Sequence, residues 1–135
     1  MTITDTGPIV ALLNSADGNH LTCKSAAQSV GAPLVTTQAC LTEAMYLLYR
    51  DTGTVGQTAL WSMVVEEALI VVELTPGMMS RAGEFMVIYR DIPCDYADAT
   101  VLALADNRNS RRVFTIDSHF YAYRLGRGRR VEVVP

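Results

Sequence analysis

Short apolar segments alternate with longer helical patterns from one end of this chain to the other, and that alternation leaves few folds open. Ile3 to Asp5, Pro33 to Val35, Leu69 to Glu73, Arg112 to Ile116 and Val131 to Val134 read as strands. They are short and largely apolar, without the in–out alternation of a sheet that faces water on one side. Between them lie segments with helical spacing. Ile9, Val10, Leu12 and Leu13 make the first stripe, and a second helix is expected from His20 to Val30, stopped by Gly31. Thr36 or Thr37 can cap a third, which carries Leu41, Ala44, Met45, Leu47 and Leu48 and ends at Gly53. A fourth runs from about Val55 to Ala68, a fifth starts at Thr75-Pro76 and reaches about Tyr89, and Asp95 caps a sixth. Asn107 to Ser110 turn the chain, and Ser118 to Tyr123 form a short helix. This order predicts an α/β fold whose parallel sheet is covered on both faces. In such sheets the ligand crevice lies beyond the carboxyl ends of the strands.

At 135 residues, half of them apolar, residues 1–135 are expected to form one domain with a full core. No repeat or linker interrupts it. The longest apolar run, around Ala68 to Val72, is far too short to cross a bilayer, so no membrane partner is expected. No basic region followed by a long apolar stretch marks a secretory signal at the N-terminus. Cys23, Cys40 and Cys94 are an odd set with no C-x-x-C pair, which favours reduced thiols and a cytoplasmic protein over a disulfide framework or zinc ribbon.

Four carboxylates stand where such a crevice would collect them. Asp5 closes the first strand, Glu43 lies beside the apolar face of the third helix, Asp98 is in the first turn of the sixth, and Asp117 follows the strand that ends Thr115-Ile116. Clustered carboxylates suit a hard divalent cation, and that pairing suits phosphodiester hydrolysis. Each acid also has a purely structural reading. Asp5 and Asp117 can cap the helices that follow them, Glu43 can reach water from a helix edge, and Asp95 and Asp98 can favour a helix dipole.

Net charge is −3, but the arginines are unevenly placed: Arg111, Arg112, Arg124, Arg127, Arg129 and Arg130 crowd the C-terminal quarter. They are candidates for contacts to an RNA backbone, or simply a solvated face. Tyr121 and Tyr123 can stack bases or pack in the core. His20 and His119 are too few and too far apart for a His-based zinc site, and Cys94 reads as a small apolar filler.

Asp5-Thr6-Gly7-Pro8-Ile9-Val10-Ala11-Leu12-Leu13, Thr42-Glu43-Ala44, Asp95-Tyr96-Ala97-Asp98-Ala99 and Thr115-Ile116-Asp117-Ser118-His119-Phe120, in that order, resemble the PIN domain over nearly the whole chain, and most of all the VapC-type toxins of toxin–antitoxin pairs. The resemblance implies a three-layer α/β/α sandwich with a central, mostly parallel sheet. It implies a ribonuclease dependent on Mg²⁺ or Mn²⁺, with Asp5, Glu43, Asp98 and Asp117 as its acidic quartet. Thr6 and Thr115 match the hydroxyl positions beside the quartet, and Asp95 a position that is often acidic. RNA as substrate, a small cognate antitoxin and a homodimer are implied as well, with Trp61 and Met63 as candidates for the dimer surface.

Three rivals stand against this reading. Asp5-Thr6-Gly7 is the triplet of aspartic proteases, but those are mostly β and the triplet here precedes any hairpin. A haloacid dehalogenase-type phosphotransferase needs a second aspartate where Gly7 stands. A catalytically silent RNA- or antitoxin-binding module, or a housekeeping nuclease that is no toxin, would carry the same motifs.

Overall fold

The computed structural model describes residues 1–135. Its strands are β1 (Thr2–Thr4), β2 (Leu34–Thr37), β3 (Leu69–Val72), β4 (Arg112–Phe114), β5 (Arg124–Leu125), β6 (Arg129–Arg130) and β7 (Glu132–Val134). Its helices are α1 (Thr6–Leu13), α2 (His20–Val30), α3 (Gln38–Thr52), α4 (Thr54–Val65), α5 (Pro76–Ile88) and α6 (Tyr96–Asn107). Five strands form one sheet in the order β3-β2-β1-β4-β7, and every neighbouring pair is parallel. Strands β5 and β6 make a separate antiparallel ribbon.

The pleat sends alternate side chains to opposite faces. Ile3, Val35 and Val113 enter one core with Phe85, Leu102, Leu104 and Tyr123, which come from α5, α6 and the chain beyond β4. Leu34 and Phe114 enter the other, with Ile9, Leu48 and Leu60 from α1, α3 and α4. The result is a three-layer α/β/α sandwich, as expected. Helix α6 is the most enclosed element, with Ala97 and every residue from Ala99 to Ala105 buried.

Local chemistry sets the boundaries. The Thr75 hydroxyl accepts from Met78 N–H to start α5, with Pro76 behind it, and the Thr37 hydroxyl accepts from Cys40 N–H to start α3. Helix α4 stops at Val65, short of the expected Ala68, because Glu67 turns to φ 59°. The strand expected through Ile116 ends at Phe114, and the short helix expected over Ser118 to Tyr123 is a 3₁₀ turn at Ser118–Tyr121. The β5–β6 ribbon has no counterpart in the sequence reading.

That ribbon is tied down by one carboxylate. Asp106, in the last turn of α6, accepts from Gly126 N–H at 2.7 Å and Arg129 Nη2 at 3.1 Å on Oδ1, and from Arg81 Nε of α5 at 2.9 Å on Oδ2. Burial works against its charge, yet the Gly126 N–H and the two guanidiniums hold its carboxyl below the usual range. A Cβ on Gly126 would stand 2.8 Å from Asp106 Oδ1, so only glycine allows this approach.

Candidate functional site

Parallel pairing of β1 between β2 and β4 aligns the strand ends. Asp5 follows β1, and its backbone N–H still donates to Phe114 O of β4 at 2.9 Å. Its buried side chain does two things at once. Oδ1 accepts from Thr6 N–H at 2.7 Å, capping α1, and Oδ2 accepts from the Thr115 hydroxyl at 2.8 Å. That same hydroxyl accepts from Asp117 N–H at 3.0 Å, so Thr115 fixes the two acidic positions relative to each other. Gly7 allows the closeness, since a Cβ there would meet Ile116 Cγ1 at 2.8 Å.

Asp117 caps the 3₁₀ turn: its Oδ1 accepts from His119 N–H at 2.9 Å and lies 2.9 Å from His119 Nδ1. Asp95 caps α6 by accepting from Asp98 N–H at 2.8 Å, which settles the orientation of the turn that carries Asp98. Glu43 sits half-buried on α3 beside Thr6. The capping readings of Asp5, Asp95 and Asp117 are therefore all realised, and they do not compete with gathering, because the caps all belong to elements that begin at the same end of the sheet.

The acids feel one another. Burial pushes the Asp98 carboxyl up to about 8, with Asp5, Asp95 and Asp117 adding repulsion. Burial likewise raises Asp5, to about 6, against the lowering effect of the Thr115 and Thr6 bonds and with the help of Glu43 and Asp117. Glu43 is raised by burial and by Asp95. No lysine or arginine forms an ion pair with Asp5, Glu43, Asp95, Asp98 or Asp117. The Thr6 hydroxyl is buried with no partner at all.

This is an all-oxygen donor set with uncompensated negative charge and an orphaned hydroxyl, which is what a hard cation needs. No three His, Cys, Asp or Glu side chains converge closely enough to clasp one ion by direct bonds alone.

Three residues behind the acids carry no motif. The hydroxyls of Thr37 and Thr100 share a 2.8 Å hydrogen bond, and Thr100 also donates to Ala97 O at 2.7 Å, bracing α6 against the end of β2. Cys40 packs its thiol 3.9 Å from Asp5 Oδ1. Only the Thr36-Thr37 pair at a strand end hinted at this buried polar layer.

The arginines are elsewhere. Arg111 and Arg112 sit at the start of β4, beside Met1 and Thr2 and at the other end of the strand from Asp117. Arg112 pairs with Glu132, Arg129 with Asp106, and Arg124 donates to the carbonyls of Tyr121 and Tyr123. Arg127 and Arg130 are exposed on the ribbon. Tyr123 is core, whereas Tyr121 is exposed; Cys94 is buried as expected. Trp61 is exposed, but Met63 packs half-buried against its own domain and so offers little to a partner.

Fold and acidic pole together resemble those of a PIN-type domain. The proteins this chain is similar to over nearly its full length carry VapC names. It is 26% identical over 134 residues to Ribonuclease VapC26 of Mycobacterium tuberculosis, covering 98% of this chain and 99% of that protein. The crystal structure of M. tuberculosis VapC20, described as a Sarcin-Ricin loop cleaving toxin, superposes with a TM-score of 0.83 at 24% identity and full coverage of both chains. VapBC2 from Rickettsia felis, bound to a DNA fragment from its promoter, gives 0.72 at 11% identity, covering 99% of this chain and 98% of that one. No family model matches the sequence.

Thr115→Val keeps the shape and removes both hydroxyl bonds. It is expected to destabilise the fold by about 1–3 kcal/mol in urea, because a buried carboxylate loses a donor, while Thr115→Ser recovers most of that loss. Equal midpoints for wild type and Thr115→Val would show that the bridge is not needed.

Proposed function

We propose that this chain is an endoribonuclease that hydrolyses RNA phosphodiester bonds with the help of Mg²⁺ or Mn²⁺, and that it is the toxin of a toxin–antitoxin pair. The carrying observation is the set of carboxylates without cationic partners at one end of the sheet, in a chain that matches a VapC ribonuclease from end to end. Asp5, Asp98 and Glu43 would hold the ion, directly or through its waters, and Asp117 would complete the site. A bound divalent ion makes its water more acidic and offsets charge on the phosphoryl oxygens. Thr115 keeps Asp5 and Asp117 in register, and the Asp95 cap keeps Asp98 turned toward them. The buried Thr6 hydroxyl stands beside Glu43 and would orient that carboxylate.

An antitoxin that covers the acidic pole is the natural partner, and the solved toxin–antitoxin complex from Klebsiella pneumoniae, similar in fold at a TM-score of 0.66, 15% identity and coverage of 87% of this chain and 88% of that one, supports that reading. A homodimer using the exposed Trp61 face, working in the cytoplasm where its RNA is, completes the proposal; no helix is long and apolar enough to cross a membrane. One observation favours a second reading. The absence of three converging ligands would suit a module that binds RNA or antitoxin without cutting.

Incubation of the purified, antitoxin-free protein with total cellular RNA separates the two. Discrete fragments are expected with Mg²⁺ or Mn²⁺ and none with EDTA. Fragments that persist in EDTA would remove the metal from the proposal, and intact RNA under every metal would favour the binding module.

A further inference from the structure

An open groove of about 570 Å³ runs beside the acidic pole, lined by Glu43 and Tyr46 of α3 and by Asp95 and Tyr96 at the start of α6. Tyr46 stands three residues after Glu43, on the same side of its helix, and is 66% exposed; Tyr96 stands between Asp95 and Asp98 and is 46% exposed. Neither belongs to the aromatic cluster of Phe85, Tyr89, Phe120 and Tyr123 that fills the adjoining core. Tyr49, Trp61 and Tyr121 are exposed as well, but Tyr46 and Tyr96 are the two that line one groove, and they do so beside the acids. No lysine, arginine or histidine lines the groove.

We propose that this groove receives one nucleobase of the RNA substrate, adjacent to the phosphate that is cut, by stacking it on Tyr46 and Tyr96. The inference rests on the ribonuclease reading and deepens it. The chemistry of the lining separates a base from a phosphate. Glu43 and Asp95 repel a phosphate, but they accept N–H donors from a base edge, and the two rings supply the apolar faces on which a base stacks. The groove and the acidic cluster share Glu43, so an RNA whose phosphate sits among the acids places its neighbouring nucleoside within reach of the tyrosines. No arginine lines the groove, and Arg111 and Arg112 stand at the other end of β4, which leaves stacking as the main source of grip near the cut.

The test uses the whole protein and an oligoribonucleotide spanning a cleavage site mapped in total RNA. Tyr46→Ala and Tyr96→Ala, both at exposed positions, are expected to lower kcat/KM about tenfold each, while Tyr46→Phe, which keeps the ring, stays near wild type. Replacing one base beside the scissile bond by an abasic nucleotide should cost wild type about as much as the Tyr46→Ala/Tyr96→Ala double substitution does, and cost that double variant nothing more. Unchanged cleavage by both alanine variants would overturn the inference and leave the nuclease reading intact. So would losses that multiply independently of the abasic position. Unchanged cleavage with weakened neutralisation by antitoxin would give the groove to a protein partner instead. If wild type cuts no RNA, both readings fall together.

Discussion

Asp98→Asn is expected to end RNA cleavage and, in metal-free buffer at pH 8, to raise the melting temperature. The reason is where α6 puts this carboxylate. It lies among the buried Ala97, Ala99 and Thr100, with Asp5, Asp95 and Asp117 close enough to repel it, and its folded pKa rises from 3.8 to about 8. A group whose folded pKa is raised contributes its full stability below its unfolded pKa and loses it as pH climbs through the folded one. Wild type should therefore lose stability between about pH 4 and pH 8 from this group, with Asp5 acting in the same direction up to about pH 6. Asparagine cannot ionise and escapes that loss. Allowing for the solvent that still reaches the side chain, the gain at pH 8 is about 2 kcal/mol, or roughly 5–10 °C for a domain of this size. Below pH 4 the two proteins should melt together. Excess Mg²⁺ should raise the wild-type midpoint more than that of the variant, because only wild type keeps the full ligand set. Thermal unfolding at pH 4, 6 and 8, with and without Mg²⁺, reads all of this. A variant that melts below wild type at pH 8 without metal would mean that the acids do not strain the fold.

Asp106→Ala has the opposite sign. Its carboxylate takes Gly126 N–H, Arg129 and Arg81 at once, with a side chain only 16% exposed. Removing it leaves the half-buried Gly126 N–H without an acceptor and takes one partner from each guanidinium, Arg81 keeping Glu84 and Arg129 keeping Asn109 and the Gly126 carbonyl, a loss of about 2 kcal/mol. Asp106→Asn keeps one acceptor and should lose less. Gly126→Ala should come close to the full loss by driving a methyl into Oδ1. Urea midpoints rank the three; an unchanged midpoint for Asp106→Ala would show that the ribbon is held by its apolar contacts alone. Residual nuclease activity below the melting point should survive in every case, since Asp106 and Asp98 lie at opposite ends of α6.

These two residues also mark what could be read in the sequence. Asp98 was legible because Asp95 announces a helix start and the spacing puts Asp98 in its first turn. The caps at Thr75 and Asp95, and the stop at Gly31, placed three helices almost to the residue, since capping is local chemistry. Asp106 gave no signal. It sits on a helix rich in alanine and leucine, and its partners are 20 and 25 residues away on either side. The ribbon it holds was invisible for the same reason: Arg124 to Arg130 shows no alternation, and the pairing is sustained by a carboxylate outside it. Thr37 was read as a helix cap and is one, but its bond to Thr100 and the place of Cys40 were missed, because a buried hydroxyl or thiol declares itself only through a partner across the fold. The arginines misled in the other direction, since closeness in sequence to Asp117 put Arg111 and Arg112 at the far end of β4.

The bond from Thr115 to Asp5 closes a loop of 110 residues, and β4 cannot pair with the central strand until both ends of that loop exist. During synthesis at roughly 5–20 residues per second, Asp5 waits on the order of ten seconds for Asp117 to be made. Until Asp117 is made, the acidic pole is incomplete. Asp117 and the edge strand β7 follow close together, so the stretch of chain that completes the sheet also completes the acidic pole.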